Sequence, residues 1–199
     1  FVQFIKFKKR NLVNLLLSSM TEFIDVIIPR GGKNLVKKVK SLSKVPIIGH
    51  LEGNCHSYID KDANPKIAKN LIFNAKLRNT AICGATETIL FHEKIIKKYC
   101  NFILKDLEKN GCKIIADNKI RKFYKGKVQK ASEYDWYKEY LSSKVSVRSV
   151  KNLDDAIEHI NKYGTMHTDC IITANKKSAK KFLKEVKSSI AMHNTSTQF

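Results

Sequence analysis

A chain of 199 residues, 43% of them hydrophobic, can bury roughly 70% of its unfolded surface in one large or two small domains, which excludes the disordered and fibrous classes. Lys and Arg number 38 against 18 Asp and Glu, a net charge of +20. Only five of these cations are arginines (Arg10, Arg30, Arg78, Arg121 and Arg148) and the lysines are dispersed, so the charge reads as solvated surface and an attractive field for phosphorylated metabolites, with a dedicated nucleic-acid face the lesser reading.

The opening stretch sets a basic cluster ahead of Leu12–Leu17, which Asn14 interrupts and no small-residue cleavage site follows; it reads as a helix rather than a signal peptide. No run approaches the roughly 18 uninterrupted apolar residues that span a bilayer, so no membrane segment is expected. Ile24–Ile28 reads as a strand, Pro29-Arg30-Gly31-Gly32-Lys33 as a turn, and Leu35, Val36, Val39 and Leu42 as the apolar stripe of a helix. That order sets backbone N–H groups at a helix start, where an anion is favoured. Taken alone, the turn lacks a full phosphate-loop spacing, and an ordinary βα turn is the plainer reading. Pro46–His50 and Cys55–Ile59 read as strands around Leu51-Glu52-Gly53-Asn54. Cys55 and His56 are adjacent on a strand and therefore point to opposite faces, so structural roles are expected for both and no metal site.

Pro65 opens a helix through Ile67, Ala68, Leu71, Ile72, Ala75 and Leu77 that stops around Asn79, and Thr86–Phe91 reads as a strand. Between them Cys83 sits in a short turn, with Gly84 and Ala85 small enough for another molecule to approach the backbone. A thiol attacks only as the thiolate, and a free cysteine ionises near pH 8.5, so cations such as Lys76 and Arg78 would help. On spacing alone a single cysteine is more often a small buried hydrophobe. All five cysteines (Cys55, Cys83, Cys100, Cys112, Cys170) lack a C-x-x-C spacing and read as reduced thiols of a cytoplasmic protein.

Glu93–Asn110 carries the stripe Ile95, Ile96, Tyr99, Phe102, Ile103 and Leu107 of an amphipathic helix ended by Gly111. Lys113–Ala116 is a strand, and Asp117–Ser132 is expected to be an irregular, exposed crossover. Trp136, Tyr137 and Tyr140 form an aromatic packing cluster. Val145–Val150, Ile171–Thr173 and Ser189–Met192 are strands alternating with helices at Asp154–Lys162 and Lys176–Val186, the βαβ rhythm of an α/β fold. His159, inside a helical pattern, is expected at the surface or as a hydrogen-bonded filler.

Five segments in order carry a family resemblance. Cys83 to His92 (CGATETILFH) resembles the C-N-A-x-E-T-L-L-V-H segment of gamma-glutamyl phosphate reductases, with Gly84 in place of Asn. Ile24 to Lys33 resembles their IDVIIPRGGK, Gly53 to Asp60 (GNCHSYID) their GNCHVYVD, Leu153 to Asp169 (LDDAIEHINKYGTMHTD) their LDEAIEHINxYGSGHTD, and Asn194 to Phe199 (NTSTQF) their NASTRF. Trp136, Glu139 and Tyr140 resemble a W-x-x-E-Y segment.

The resemblance implies an aldehyde-dehydrogenase-like α/β fold: residues 1–50 the later part of a Rossmann-type cofactor domain, residues 51–199 a catalytic domain without its C-terminal segment. It implies Cys83 as the nucleophile that forms a thioester with gamma-glutamyl phosphate. Arg30, Gly31, Gly32 and Lys33 would lie beside the phosphates of NADPH, and His167 and Asn194 on the substrate side, with no acid or base role expected of His167. Glu52 is given no general-base role, because reduction of an acyl phosphate has no hydrolytic step. Complete family members are considerably longer, which leaves open a chain that needs a complementary polypeptide or a second copy, an inactive remnant, or a noncatalytic α/β binding module.

Overall fold

The computed structural model describes residues 2–9 and 11–199, with Lys33 described by its backbone alone. The chain divides into two compact units between Leu51 and Glu52.

The larger unit is a seven-stranded, wholly parallel sheet. Its strands are β1 (Cys55–Ile59), β2 (Thr86–His92), β3 (Lys113–Ala116), β4 (Val128–Lys130), β5 (Lys144–Val150), β6 (Thr168–Ile172) and β7 (Ile190–His193), in the order β4-β3-β5-β2-β1-β6-β7. Parallel strands need crossovers, and four long helices supply most of them: α3 (Pro65–Leu77), α4 (Glu93–Lys109), α6 (Leu153–Tyr163) and α7 (Lys176–Glu185). β1, β2 and β6 are buried along their whole length, as strands covered on both faces must be.

Side-chain alternation assigns the two faces. Ile59, Ile89, Phe91, Cys170 and Ile172 pack with Ala68, Ile72, Ile96 and Leu104 of α3 and α4, while Tyr58, Leu90 and Ile171 pack with Ile157, Ile160 and Phe182 of α6 and α7. Each helix starts where a side chain can take up its free N–H groups: Asn64, His92, Asn152 and Asn175 cap α3, α4, α6 and α7.

Asp117–Ser132, expected to be irregular, contains instead the short helix α5 (Asn118–Phe123) and the edge strand β4. Asp117 organises it: Oδ1 accepts from the Ile120 N–H at 2.8 Å, and Oδ2 from the Ser149 N–H and hydroxyl, both at 2.6 Å. Ile120 and Tyr124, buried under α5, supply the apolar anchors that the surrounding lysines obscure in the sequence.

The smaller unit holds α1 (Asn11–Ser18), the helix expected there, and α2 (Lys33–Leu42), with Leu17, Val36, Val39 and Val45 as its core. The strands expected at Ile24–Ile28 and Pro46–His50 shrink to a single parallel bridge, Ile27 to Ile47. The alternate residues Val26, Ile28 and Ile48 are exposed, and without apolar burial on that side an isolated pair does not extend into a ladder. No helix among the described residues is long and apolar enough to cross a membrane.

One polar tie crosses the core. Lys76 Nζ lies 2.6 Å from Glu87 Oε2 with both side chains fully buried, and Glu87 Oε1 accepts from the Leu141 N–H at 3.2 Å. Burial, opposed by the Lys76 ammonium, pushes the Glu87 carboxyl up to about 7. The folded state then holds a proton that the unfolded chain has released, so this group's stabilisation is full below about pH 4.5 and is lost as pH rises through 7. Lys76→Met, which leaves the carboxyl without its cation, should destabilise the chain by about 3–5 kcal/mol, and Lys76→Met/Glu87→Leu should recover most of it. Urea unfolding at pH 5 and pH 8 checks both, with the single variant's loss larger at pH 8.

Candidate active site

Three segments enter three neighbouring strands: Gly53-Asn54 into β1, Cys83-Gly84-Ala85 into β2, and Thr165-Met166-His167 into β6. Cys55 stands opposite Thr86, and His56 opposite Asp169, so the parallel register sets the three segments side by side at the amino-terminal edge of the sheet. Cys83 occupies the middle of a turn closed by the Ala85 N–H donating to the Ile82 carbonyl at 3.0 Å. Cys55, Cys100, Cys112 and Cys170 are buried; Cys83 is half-exposed.

The turn rests on glycine. A Cβ on Gly53 would fall 2.0 Å from the Cys83 carbonyl oxygen and 2.8 Å from its Cα; any larger residue would displace the cysteine. Gly53 is itself held, its N–H donating to Glu139 Oε1 at 2.7 Å. The Asn54 side chain donates to the Trp136 and Tyr163 carbonyls at 2.8 and 2.9 Å, and its N–H to Thr165 Oγ1 at 2.9 Å. Glu139 and Trp136 thus fix the loop before β1, a role the W-x-x-E-Y pattern contained but packing alone did not suggest.

A second thiol lies beneath the first. Cys55 donates to the Cys83 carbonyl at 3.1 Å. Burial, reinforced by the Asp169 charge, pushes the Cys55 thiol's pKa well up, so it keeps the proton it donates. Its sulfur is 3.6 Å from His167 Nδ1, which lies 2.9 Å from Thr168 Oγ1. The Cys83 sulfur and a ring nitrogen of His167 lie within 4.8 Å of one another. His56, on the opposite face as expected, donates its backbone N–H to Asp169 Oδ1 at 2.7 Å and places Nδ1 3.0 Å from the same oxygen.

Three residues, Lys76, Gly84 and Asn194, sit differently from their sequence expectation. Lys76 is sealed against Glu87 and does not reach toward Cys83, because a buried carboxylate binds the ammonium more strongly than a half-exposed thiol would. The molecule that approaches Gly84 is the chain itself: a Cβ there would fall 2.9 Å from the Thr197 carbonyl. Asn194 lies beyond the carboxyl end of β7, its amide accepting from the Thr173 N–H at 3.0 Å and donating to the Thr173 carbonyl at 2.9 Å, away from the amino edge that holds Cys83. His159 is the hydrogen-bonded filler of the two expected alternatives: it is buried, Nδ1 accepts from Arg148 at 2.7 Å, and burial drives its pKa down so that the ring stays neutral.

After Asn194 the C-terminal segment returns to the cysteine turn. Gln198 donates to the Ala75 and Asn79 carbonyls at 2.8 and 3.1 Å, and the Thr197, Thr86 and Ser57 hydroxyls form a chain with spacings of 3.0 and 2.7 Å.

In the smaller unit, Gly32 is the N-cap of α2 and offers no side-chain cap, and no acidic residue stands in the first turn. A Cβ on Gly32 would meet nothing within 4 Å, whereas at Gly31, whose φ is +156°, it would fall 2.7 Å from Leu35 Cδ2. With Arg30 exposed beside it, this open and uncapped helix start fits a phosphate group.

No family model matches the chain. It is 44% identical over 198 residues to gamma-glutamyl phosphate reductase of Parvibaculum lavamentivorans, covering 100% of this chain and 46% of the relative. The crystal structure of gamma-glutamyl phosphate reductase from Thermotoga maritima matches with a TM-score of 0.93 at 38% identity, over 100% of this chain and 47% of that one. An acetylating aldehyde dehydrogenase from Geobacillus thermoglucosidasius, 22% identical with a TM-score of 0.73 over 96% of this chain and 50% of its own, shares the fold. The architecture is aldehyde-dehydrogenase-like, and the chain spans just under half the length of the curated relatives it matches.

Gly53→Ala should destabilise the chain by about 1–3 kcal/mol, as overpacking does, and should move the Cys83 turn. Urea unfolding reads the first effect and a changed rate of Cys83 alkylation the second.

Proposed function

Over its whole length the chain is homologous to part of gamma-glutamyl phosphate reductase, and from that premise we propose that it carries the nucleophile of that reaction: reduction of gamma-glutamyl phosphate to glutamate 5-semialdehyde and phosphate, on the route to proline. The supporting observation is the half-exposed Cys83, set in a turn clamped by Gly53 on one side and Thr197 on the other while the other four cysteines are buried.

The Cys83 thiolate attacks the acyl carbon, the bond from that carbon to the phosphate oxygen breaks, and phosphate leaves with the electron pair. The Cys83 N–H faces the developing oxyanion, a donor worth about 3 kcal/mol. Arg30, Gly31, Gly32 and Lys33 would hold the phosphates of NADPH, and that cofactor would supply the hydride that reduces the thioester. The carbon–sulfur bond then breaks, the aldehyde departs and the electron pair returns to Cys83. Five thiols outside any disulfide suit a reducing, cytoplasmic setting.

NADPH consumption with gamma-glutamyl phosphate tests the reading, with the chain alone and with the portions of a full-length relative that it does not span. Cys83→Ala should abolish turnover, a loss on the order of 10⁶-fold where a nucleophile is removed outright. NADPH consumption by Cys83→Ala equal to that of the unsubstituted chain would sink it.

A further inference from the structure

A thiol needs help to ionise near neutrality, and the stretch of chain around Cys83 offers little. It follows the carboxyl end of α3, the negative end of a helix dipole, whereas activated cysteines gain from the positive end. Lys76, one of the two cations expected to assist, is bound to Glu87, and the other, Arg78, is exposed to solvent. Within the larger unit, a group that does stand near the sulfur comes from 84 residues further along the sequence: a ring nitrogen of His167 within 4.8 Å.

Two polar atoms of the larger unit stand at one nitrogen of that ring. His167 Nδ1 has Thr168 Oγ1 at 2.9 Å and the Cys55 sulfur at 3.6 Å. Because the Cys55 proton points at the Cys83 carbonyl, the Cys55 sulfur faces Nδ1 as an acceptor. An Nδ1–H directed at these two atoms leaves Nε2 with its lone pair, the tautomer of a base.

We infer that His167 is the base for Cys83: it takes the thiol proton, and the reactive form of the site is a thiolate–imidazolium pair. The sulfur–hydrogen bond breaks and a nitrogen–hydrogen bond forms, with the electron pair left on sulfur. During acyl transfer that pair forms the carbon–sulfur bond, and the departing phosphate takes up a proton from solvent. When the thioester has been reduced and the aldehyde leaves, the pair returns to sulfur opposite an imidazolium that still holds its proton. The titratable groups of the larger unit around this pair are Cys55, protonated through burial, the Asp169–His56 pair, Glu87 bound to Lys76, and Glu139 on the Gly53 N–H.

The inference rests on Cys83 being the reactive thiol, yet its test needs no substrate. Iodoacetamide labelling of Cys83, followed by mass spectrometry from pH 5 to pH 10, should run at least ten times faster at pH 6.5 in the unsubstituted chain than in His167→Asn. The two should converge above pH 9, where a free thiol ionises unaided. Equal labelling at pH 6.5 overturns the pair. Should His167→Asn fail to fold, NMR titration of the His167 ring in the unsubstituted chain and in Cys83→Ala decides: removal of the sulfur should lower the pH of imidazole protonation by at least one unit, and an unchanged titration overturns the inference. Fast labelling at pH 6.5 without NADPH turnover would count against the reductase reading and uphold the pair.

Discussion

The site depends on register. β2, β1 and β6 are parallel neighbours, so the three loops that enter them arrive at one level, and the pairings Cys55 with Thr86 and His56 with Asp169 decide which loop residues meet. A one-residue slip of β1 against β2 would invert the faces of β1. Cys55 would then leave Cys83, and the missing side chain of Gly53 would no longer lie under the cysteine carbonyl. The deep two-sided burial of these strands is therefore the condition of the chemistry as well as of the fold, because it forbids that slip.

Parallel α/β sheets usually bind ligands at the carboxyl ends of their strands, where helix starts supply positive dipoles. Here the cysteine stands at the amino ends. The nearest helix terminus in sequence is the end of α3, the pole unfavourable to an anion. Such a site must acquire positive charge or a proton acceptor from side chains, and the loop before β6 delivers an imidazole to it. A helix start without a side-chain cap is found in the smaller unit, at Gly32.

Much of this was legible in the sequence. Helical stripes and strand runs placed α3, α4, α6 and α7 closely, since each is long and amphipathic with a side-chain cap and a core face. α5 and β4 were hidden: a six-residue helix and a three-residue strand carry too few apolar positions to show a period among lysines. Periodicity also describes one element at a time. The Gly53–Glu139 bond joins residues 86 apart, and neither local pattern announces it. Lys76 misled for the same reason: nearness to Cys83 along the chain suggested a partner, while the buried carboxylate of Glu87, equally near, had the stronger claim.

The sequence segments that carry the family resemblance in residues 52–199 do different physical work. Gly53 and Gly84 are shape: one leaves room for the cysteine carbonyl, the other for the Thr197 carbonyl. Glu87, Glu139 and Gln198 are fasteners, each accepting or donating where a loop backbone would otherwise lack a partner. Among the cysteines Cys83 alone combines partial exposure with intrinsic nucleophilicity, and His167 stands close to it. Asn194, equally part of a motif, binds the Thr173 backbone on both sides of its amide at the far edge of the sheet, and its conformation at φ +52° serves to turn the chain back toward Thr197. A motif therefore marks where the backbone must be held as often as where chemistry occurs, and the bond partners of each side chain separate the two.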